Sequence, residues 1–238
     1  CLFDGSSITG SNPGANIGII SGSSNIEIEN NQFIVTTTGC LIENCNNAII
    51  RNCSFQGGAA NTTAVSCTSC KKISLEQCVA EKVSQGFLIH GCNDVSISEC
   101  ESLGLAVAGN IGFSLSVTSI ENPPTTNVTL ERCIATNHDT GFQIDNATTR
   151  FTLKHCIAQN NSTDGFQIDT SGTGIVKGCK AEANGQYGFN DVIGGANITY
   201  VANVASNNGT ANYNPAPLTP FYPVSLIDSP MYWNNAIQ

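Results

Sequence analysis

Apolar and polar residues alternate in short runs along most of this chain. Within residues 72–92 the alternating apolar pairs are Ile73 with Leu75, Cys78 with Ala80, and Phe87 with Ile89. A corner or a loop separates each pair from the next. Successive side chains of a β-strand point to opposite faces, whereas a helix would place its apolar residues three and four positions apart. The segment therefore predicts three short strands.

The same unit recurs through most of the sequence. Its pattern is apolar-x-apolar-x-x-Cys-x-small, then a variable loop, then Gly-aromatic-x-aliphatic. The Cys of this pattern, or an Asn in its place, defines an anchor column: Asn31, Cys53, Cys78, Cys100, Cys133, Cys156, Cys179 and Asn203. Successive anchors are 22 to 25 residues apart, except for one interval of 33. A period this short and steady predicts a solenoid.

The repeat units are rich in Ile, Val, Thr, Asn, Ser and Gly, which favours strands over helices. The spacing of a leucine-rich repeat is missing. Three strands in each turn of 22–25 residues resemble the right-handed parallel β-helix of the pectate-lyase and phage-tailspike type. The resemblance covers roughly residues 16–207 and concerns the fold. It implies an all-β solenoid with three short strands per rung.

Three regions follow from the extent of the repeat. We expect residues 1–25 to be an N-terminal cap segment with an incomplete first rung, and residues 26–208 to be the β-helix. Residues 209–238 contain five of the eight prolines and the only Trp, so they cannot form a regular helix or a central strand. This last segment is interpreted as a cap over the final rung or as a docking arm onto a neighbouring subunit. Its candidate binding residues are Tyr222, Tyr232 and Trp233.

Charge and hydropathy exclude some partners. The net charge is −9 with only nine Lys plus Arg, and these cations do not cluster, which disfavours nucleic acid and anionic membranes. No run of about 18 apolar residues exists, so no transmembrane segment is predicted.

The chain begins at Cys1, which indicates either a removed leader or a fragment. The Asn-x-Ser/Thr sequons are interpreted as incidental, since Asn is favoured at β-helix corners.

Twelve cysteines invite a disulfide or metal interpretation, and their positions argue against both. In-register residues on neighbouring parallel strands keep their Cβ atoms about 4.8 Å apart, whereas a disulfide needs about 3.5–4.5 Å. We therefore expect a ladder of buried free thiols, formed by Cys53, Cys78, Cys100, Cys133, Cys156 and Cys179. Such thiols fit folding in a reducing compartment or protection by burial. The Cys67-x-x-Cys70 pair lacks the second pair that a zinc site needs, so no metal site is predicted.

The best candidate for chemistry is a repeated Gly-Phe-Gln-Ile-Asp at residues 141–145 and 165–169. This repeat would stack Gln143 on Gln167 and Asp145 on Asp169. Asp139 and Asp164 stand at the preceding corners. Carboxylates about 5 Å apart match a retaining glycosidase pair and could share a Ca²⁺ ion. The alternative is that these are the polar outward positions of two similar repeats.

The basic residues and histidines add little to this candidate site. Arg132, Arg150 and Lys154 are expected to be the only cations near the acidic face. His90, His138 and His155 are interpreted as ordinary polar surface residues. The enzyme families with this fold imply a carboxylate cluster, often with Ca²⁺ and a basic residue, but the paired-Asp and Gly-His-Gly signatures of polygalacturonases are missing.

Two functions remain open. The first is a non-catalytic structural or adhesive subunit of a virion, cell surface or appendage, which works through self-assembly as a homo-oligomer or larger assembly and through partner binding. The second is a polysaccharide lyase or hydrolase, or a carbohydrate-binding module, that uses the acidic face of the β-helix. No cofactor is predicted apart from the Ca²⁺ that the carboxylates could share.

Overall fold

The fold is a stack of short parallel strands in three sheets. The computed structural model describes residues 2–4, 7–9, 15–19, 22–58, 61–105, 107–116, 123–145, 148–193 and 197–215, with backbone alone for residues 2–19 and 215. All the strand pairs in this part of the chain are parallel. No helix in it is long and apolar enough to cross a membrane.

Each sheet contains every third strand of the chain, and the strands are numbered here in chain order. Sheet A consists of β1 (Leu2–Asp4), β4 (Ser24–Glu29), β7 (Asn46–Arg51), β10 (Lys71–Glu76), β13 (Asn93–Ser98), β16 (Thr126–Glu131), β19 (Arg150–Lys154), β22 (Thr173–Lys177) and β25 (Ile198–Val201). Sheet B consists of β2 (Ser7–Thr9), β5 (Gln32–Ile34), β8 (Ser54–Gln56), β11 (Val79–Val83), β14 (Glu101–Gly104), β17 (Ile134–Thr136), β20 (Ile157–Gln159), β23 (Lys180–Glu182) and β26 (Val204–Ser206). Sheet C consists of β3 (Ala15–Ile19), β6 (Thr38–Glu43), β9 (Thr63–Thr68), β12 (Gln85–His90), β15 (Ile111–Ser116), β18 (Thr140–Ile144), β21 (Phe166–Ile168), β24 (Tyr187–Asp191) and β27 (Ala211–Pro215).

One strand from each sheet makes a rung, so the described residues form nine rungs, numbered from the N-terminus. The predicted fold class, an all-β parallel β-helix with three strands per rung, is confirmed. The first rung (β1–β3) precedes residue 26, and β27 extends the solenoid beyond residue 208. The repeat is therefore longer at both ends than the sequence pattern indicated. That the terminal segments act as caps stays a prediction.

Aromatic rings stack along the interior of sheet C. Phe87, Phe113, Phe142, Phe166 and Phe189 lie one above another with ring centroids 4.7–5.0 Å apart and ring planes within 16° of parallel. The facing inward positions of sheet B hold small residues, which are Ala80, Ser102, Ala135, Ala158 and Ala181. One large and one small side chain thus fill each of these rungs.

Rungs 2 and 3 fill the same space in the opposite way. Phe33 and Phe55 lie on sheet B, with stacked rings 4.6 Å apart, and the facing positions of sheet C are Cys40 and Val65. A Phe on one sheet thus faces a smaller side chain on the other in each of rungs 2 to 8, and the two sheets exchange these roles between rungs 3 and 4. Pairing a large side chain with a smaller one in each of these rungs lets the interior pack densely while the rungs stay evenly spaced.

The corners between strands use the left-handed backbone conformation. Among the described residues, twenty other than Gly have a positive φ, and between sheets A and B one of them lies just before each of the anchors in rungs 2 to 7. That column begins with Asn30 and Asn52 and continues with Gln77, Glu99, Arg132 and His155. Asn tolerates this conformation well, whereas longer side chains adopt it at a cost of about 1–2 kcal/mol.

Candidate functional site

A column of amide side chains runs along the outer face of sheet C. Gln143, Gln167, Asn190 and Asn214 are consecutive partners in register on β18, β21, β24 and β27. Nδ2 of Asn214 donates to Oδ1 of Asn190 at 2.8 Å. The predicted stacking of Gln143 on Gln167 is therefore present, and two further amides extend it toward the C-terminal end. Such a column offers donors and acceptors at the spacing of the rungs.

Asp145 and Asp169 follow the same strands and occupy equivalent positions. The backbone N–H of Asp145 donates to the Leu115 carbonyl, and that of Asp169 to the Ile144 carbonyl, at 2.9 and 2.8 Å. Partial burial raises the pKa of Asp145, and the nearby Asp169 carboxylate raises it further, while a hydrogen bond from Gln143 at 3.0 Å opposes both effects. The two carboxylates therefore interact, as the repeated sequence suggested, and their role in catalysis or binding stays a prediction.

Asp139 and Asp164, the other two candidate acids, are held by hydrogen bonds at the corners. Asp139 accepts from the Gly109 N–H at 2.8 Å and from Oγ of Ser162 at 2.7 Å. Asp164 is buried and accepts from the Tyr187 N–H at 3.1 Å and from Nδ2 of Asn190 at 2.7 Å. Burial raises the pKa of Asp164. Both carboxylates thus connect neighbouring rungs.

Two of the three cations expected near the acidic face lie elsewhere. Arg132 pairs with Glu99 and Glu131 at 3.0 and 2.8 Å, and Lys154 pairs with Glu131 at 3.0 Å. These groups stand where sheet A ends, at the corner with sheet B. The alternating sequence pattern predicted that the side chains of Arg132 and Lys154 face outward, but it could not show at which corner of the rung they lie. Arg150 begins β19, on the other side of sheet A, close to the corner that follows Asp145.

Nine of the eleven described cysteines form two columns of buried thiols: Cys45, Cys70 and Cys92 make the shorter one, and the six anchors from Cys53 to Cys179 make the longer one. All eleven described cysteines are buried, and none forms a disulfide. In the shorter column, the N–H of Cys45 donates to Sγ of Cys70 at 3.4 Å, and the N–H of Cys70 donates to Sγ of Cys92 at 3.4 Å. Each thiol also lies within hydrogen-bond distance of a backbone carbonyl, as Cys70 does with Thr68 at 3.2 Å. The thiols therefore satisfy backbone groups at the corners as well as fill space.

Asn203 ends the longer column and makes the equivalent contacts through its amide. Its Oδ1 accepts from the Cys179 N–H at 2.8 Å, and its Nδ2 donates to the Val176 carbonyl at 2.8 Å. Cys156 donates to the Leu130 carbonyl of the previous rung at 3.5 Å. The exchange of Cys for Asn in the anchor column thus has a physical basis in shared hydrogen-bond partners.

The interpretation of His138 as a surface residue is wrong. His138 is fully buried, and its Nε2 lies 2.8 Å from Oγ of Ser102. It heads a ladder between sheets B and C in which each N–H donates to the next Oδ1: His138 to Asn161 at 3.0 Å, Asn161 to Asn184 at 3.1 Å, and Asn184 to Asn208 at 3.0 Å. Sequence reasoning missed this ladder, although its members recur every 23 or 24 residues.

Two of the predictions concern a metal and the C-terminal aromatic residues. Among the residues that the structure describes, no group of three or more His, Cys, Asp or Glu side chains is arranged to hold a metal ion. A Ca²⁺ ion shared by Asp145 and Asp169 therefore has no third carboxylate in that part of the chain. The candidate binding residues Tyr222, Tyr232 and Trp233 lie outside the described residues.

The three-sheet parallel solenoid defines the class of protein, and a comparison of the sequence with known families agrees with it. The family model described as right handed beta helix region matches residues 63–214. The chain belongs to this family. A search of curated proteins and a search of solved structures found no match.

Proposed function

We propose that this chain is a structural or adhesive β-helical subunit that acts through self-assembly and partner binding. The observation that supports this proposal most strongly is the continuity of its contacts along the rod. The stack of rings from Phe87 to Tyr213 passes through six consecutive rungs without interruption. Two cysteine columns and one asparagine ladder run beside it. Each rung is held to the next at several points, which makes the rod suited to bearing a load or presenting a surface.

The acidic residues also support a structural role. Asp139 and Asp164 use their carboxylate oxygens to hold neighbouring rungs together. A general acid or base must instead be able to reach the proton that it transfers. These two carboxylates therefore serve the fold first.

Light scattering coupled to size-exclusion chromatography tests the proposal. We expect the full chain to form a homo-oligomer or larger particle, and a chain ending at residue 215 to remain monomeric with an unchanged far-ultraviolet circular dichroism spectrum. A full chain that is monomeric at all accessible concentrations would contradict self-assembly.

A second candidate, carbohydrate binding, is favoured by one observation. The amides from Gln143 to Asn214 and the interacting carboxylates of Asp145 and Asp169 form one polar strip on sheet C. The double variant Asp145→Asn with Asp169→Asn should then lose binding or cleavage of acidic polysaccharides. Glu81→Gln, an exposed change on sheet B, is the control. Equal behaviour of the two variants would remove this candidate.

A further inference from the structure

A groove of about 440 Å³ lies on the outer face of sheet A, away from the polar strip of sheet C. It crosses β16, β19, β22 and β25, which belong to rungs 6 to 9. One wall is the column that contains Asn127, Arg150 and Thr173, and the other contains Thr152 and Ile175. Four strands at about 4.8 Å spacing make the groove roughly 14 Å long. An extended peptide of about four residues has this length.

Arg150 is the charged residue of the groove, and it has no ion pair with any described residue. The other two arginines differ, since Arg51 pairs with Glu27 and Glu29, and Arg132 pairs with Glu99 and Glu131. No carboxylate lines the groove, although the chain as a whole has a net charge of −9. An exposed guanidinium in such surroundings is complementary to a carboxylate, which it can bind through two parallel hydrogen bonds.

The floor and walls offer polar partners with one apolar position. Ile175 is 44% exposed, and hydroxyl and amide groups surround it. The ring of Phe151 is turned inward and is 4% exposed, because Gly174 on the next strand leaves room for it; a Cβ at Gly174 would lie 2.2 Å from the ring. The floor therefore presents backbone and the edge of a covered ring.

We infer that this groove binds an extended peptide segment of a partner protein, with an acidic side chain of the peptide on Arg150 and an apolar side chain against Ile175. The inference rests on the proposed scaffold function and names the class of partner. Three wall groups already donate within the chain: Asn127 to Asn93 and Asp94, Thr173 to Thr149, and Asn197 to Ser171. The hydroxyl groups of Thr129, Thr152 and Thr199 can satisfy peptide N–H and C=O groups, which need partners when they leave water. A sugar ring gains less here, since the aromatic face that it would cover is already buried under Gly174.

Fluorescence anisotropy on the monomeric fraction of the full chain tests the inference. The probe is a fluorescein-labelled hexapeptide of alternating Val and Thr with one central Asp, and its twin carries Asn in place of Asp. We expect the Asp peptide to bind at least tenfold more tightly than its twin. Arg150→Ala should remove this difference, and Arg150→Lys should restore part of it, because an ammonium lacks the paired donors of a guanidinium.

Lys177→Ala is the matched control. Lys177 is an exposed cation at the far end of β22, outside the groove, so its removal changes the net charge equally and should leave the affinity within twofold. Equal binding of the two peptides, equal loss in both variants, or tighter binding of a glucuronate oligomer than of the Asp peptide would each overturn the inference. Peptide binding is measured on monomers, so it can be observed even if the chain does not self-assemble. In the same way, a chain that binds no peptide can still be tested for self-assembly.

Discussion

Oγ of Ser102 and Nε2 of His138 lie 2.8 Å apart in the interior of the rod, where rungs 5 and 6 meet. The other ring nitrogen of His138, Nδ1, is buried and has no hydrogen-bond partner among the described residues. The asparagine ladder begins with Asn161 in rung 7, and His138 in rung 6 continues it to Ser102 in rung 5. Because burial lowers the pKa of His138, the imidazole does so as a neutral group at pH 7.

Acid should destabilise the fold through His138. Burial lowers its pKa from 6.5 to about 4, so between these values the unfolded chain binds a proton that the folded chain does not. Stability is therefore retained above pH 6.5 and lost as the pH falls toward 4, by about 3 kcal/mol for this group. Urea unfolding followed by circular dichroism at pH 7.5 and pH 4.5 measures this loss. In His138→Asn, which supplies the side chain of the next ladder position, the difference between the two pH values should shrink by that amount; an unchanged difference would show that other groups cause it.

The pairing of Phe142 with a small residue on sheet B gives a second prediction. Phe142 is fully buried between the rings of Phe113 and Phe166, so Phe142→Ala should lower the free energy of unfolding by about 3–5 kcal/mol. Ala135→Phe should also destabilise, since it overfills a packed rung. The double variant should lose less than the sum of the two single losses, because rungs 2 and 3 place their Phe on sheet B. Strict additivity in chemical denaturation would contradict the idea of a shared volume.

The sequence was sufficient for the architecture because the interior repeats. Cys78, Cys100 and Cys133 occupy buried positions on successive rungs, and an alternating pattern around a steady anchor leaves few other folds. The ends were harder to predict. In rung 9, Asn212 precedes Tyr213 where the pattern has Gly before an aromatic residue, so β27 was missed even though Tyr213 continues the stack of rings.

The candidate site was only partly predictable, because an outward position does not say what surrounds it. The repeated motif correctly stacked Gln143 on Gln167. It could not show that Asp164 would be buried against Asn190, since that contact depends on the path of a corner. Nor could the sequence distinguish Arg150, which has no ion pair among the described residues, from Arg132, which pairs with its neighbour Glu131 and with Glu99 on the previous rung.

A corner residue offers a stabilising substitution. Ala183 has φ 54° and belongs to a column between sheets B and C in which the other described positive-φ residues are Lys82, Asn137, Asn160 and Asn207. Asn tolerates this conformation better than Ala does, so Ala183→Asn should raise the free energy of unfolding by about 0.5–1 kcal/mol. Ala183→Val should lower it, because a β-branched side chain is strained there. A thermal melt of both variants beside the parent protein measures the two effects, and equal changes of the same sign would rule out a conformational origin.

The buried thiols should resist alkylation until the rod unfolds. Burial raises the pKa of the thiols of Cys40 and Cys67, and the reactive form of cysteine is the thiolate. Cys70 differs, since its hydrogen bond with Cys92 lowers its pKa to about 7, but all eleven described cysteines are buried. Treatment with iodoacetamide in native buffer should therefore leave them unmodified. Treatment in 6 M guanidinium, on the order of the concentration that unfolds even very stable proteins, should modify every one. Peptide mass spectrometry reads out each site, and Cys1 provides a comparison outside the described residues. Rapid labelling in native buffer within the column from Cys53 to Cys179 would mean that the rungs open locally. A thiol such as that of Cys156 donates to a carbonyl of the previous rung, so the reagent can reach it only when those two rungs separate.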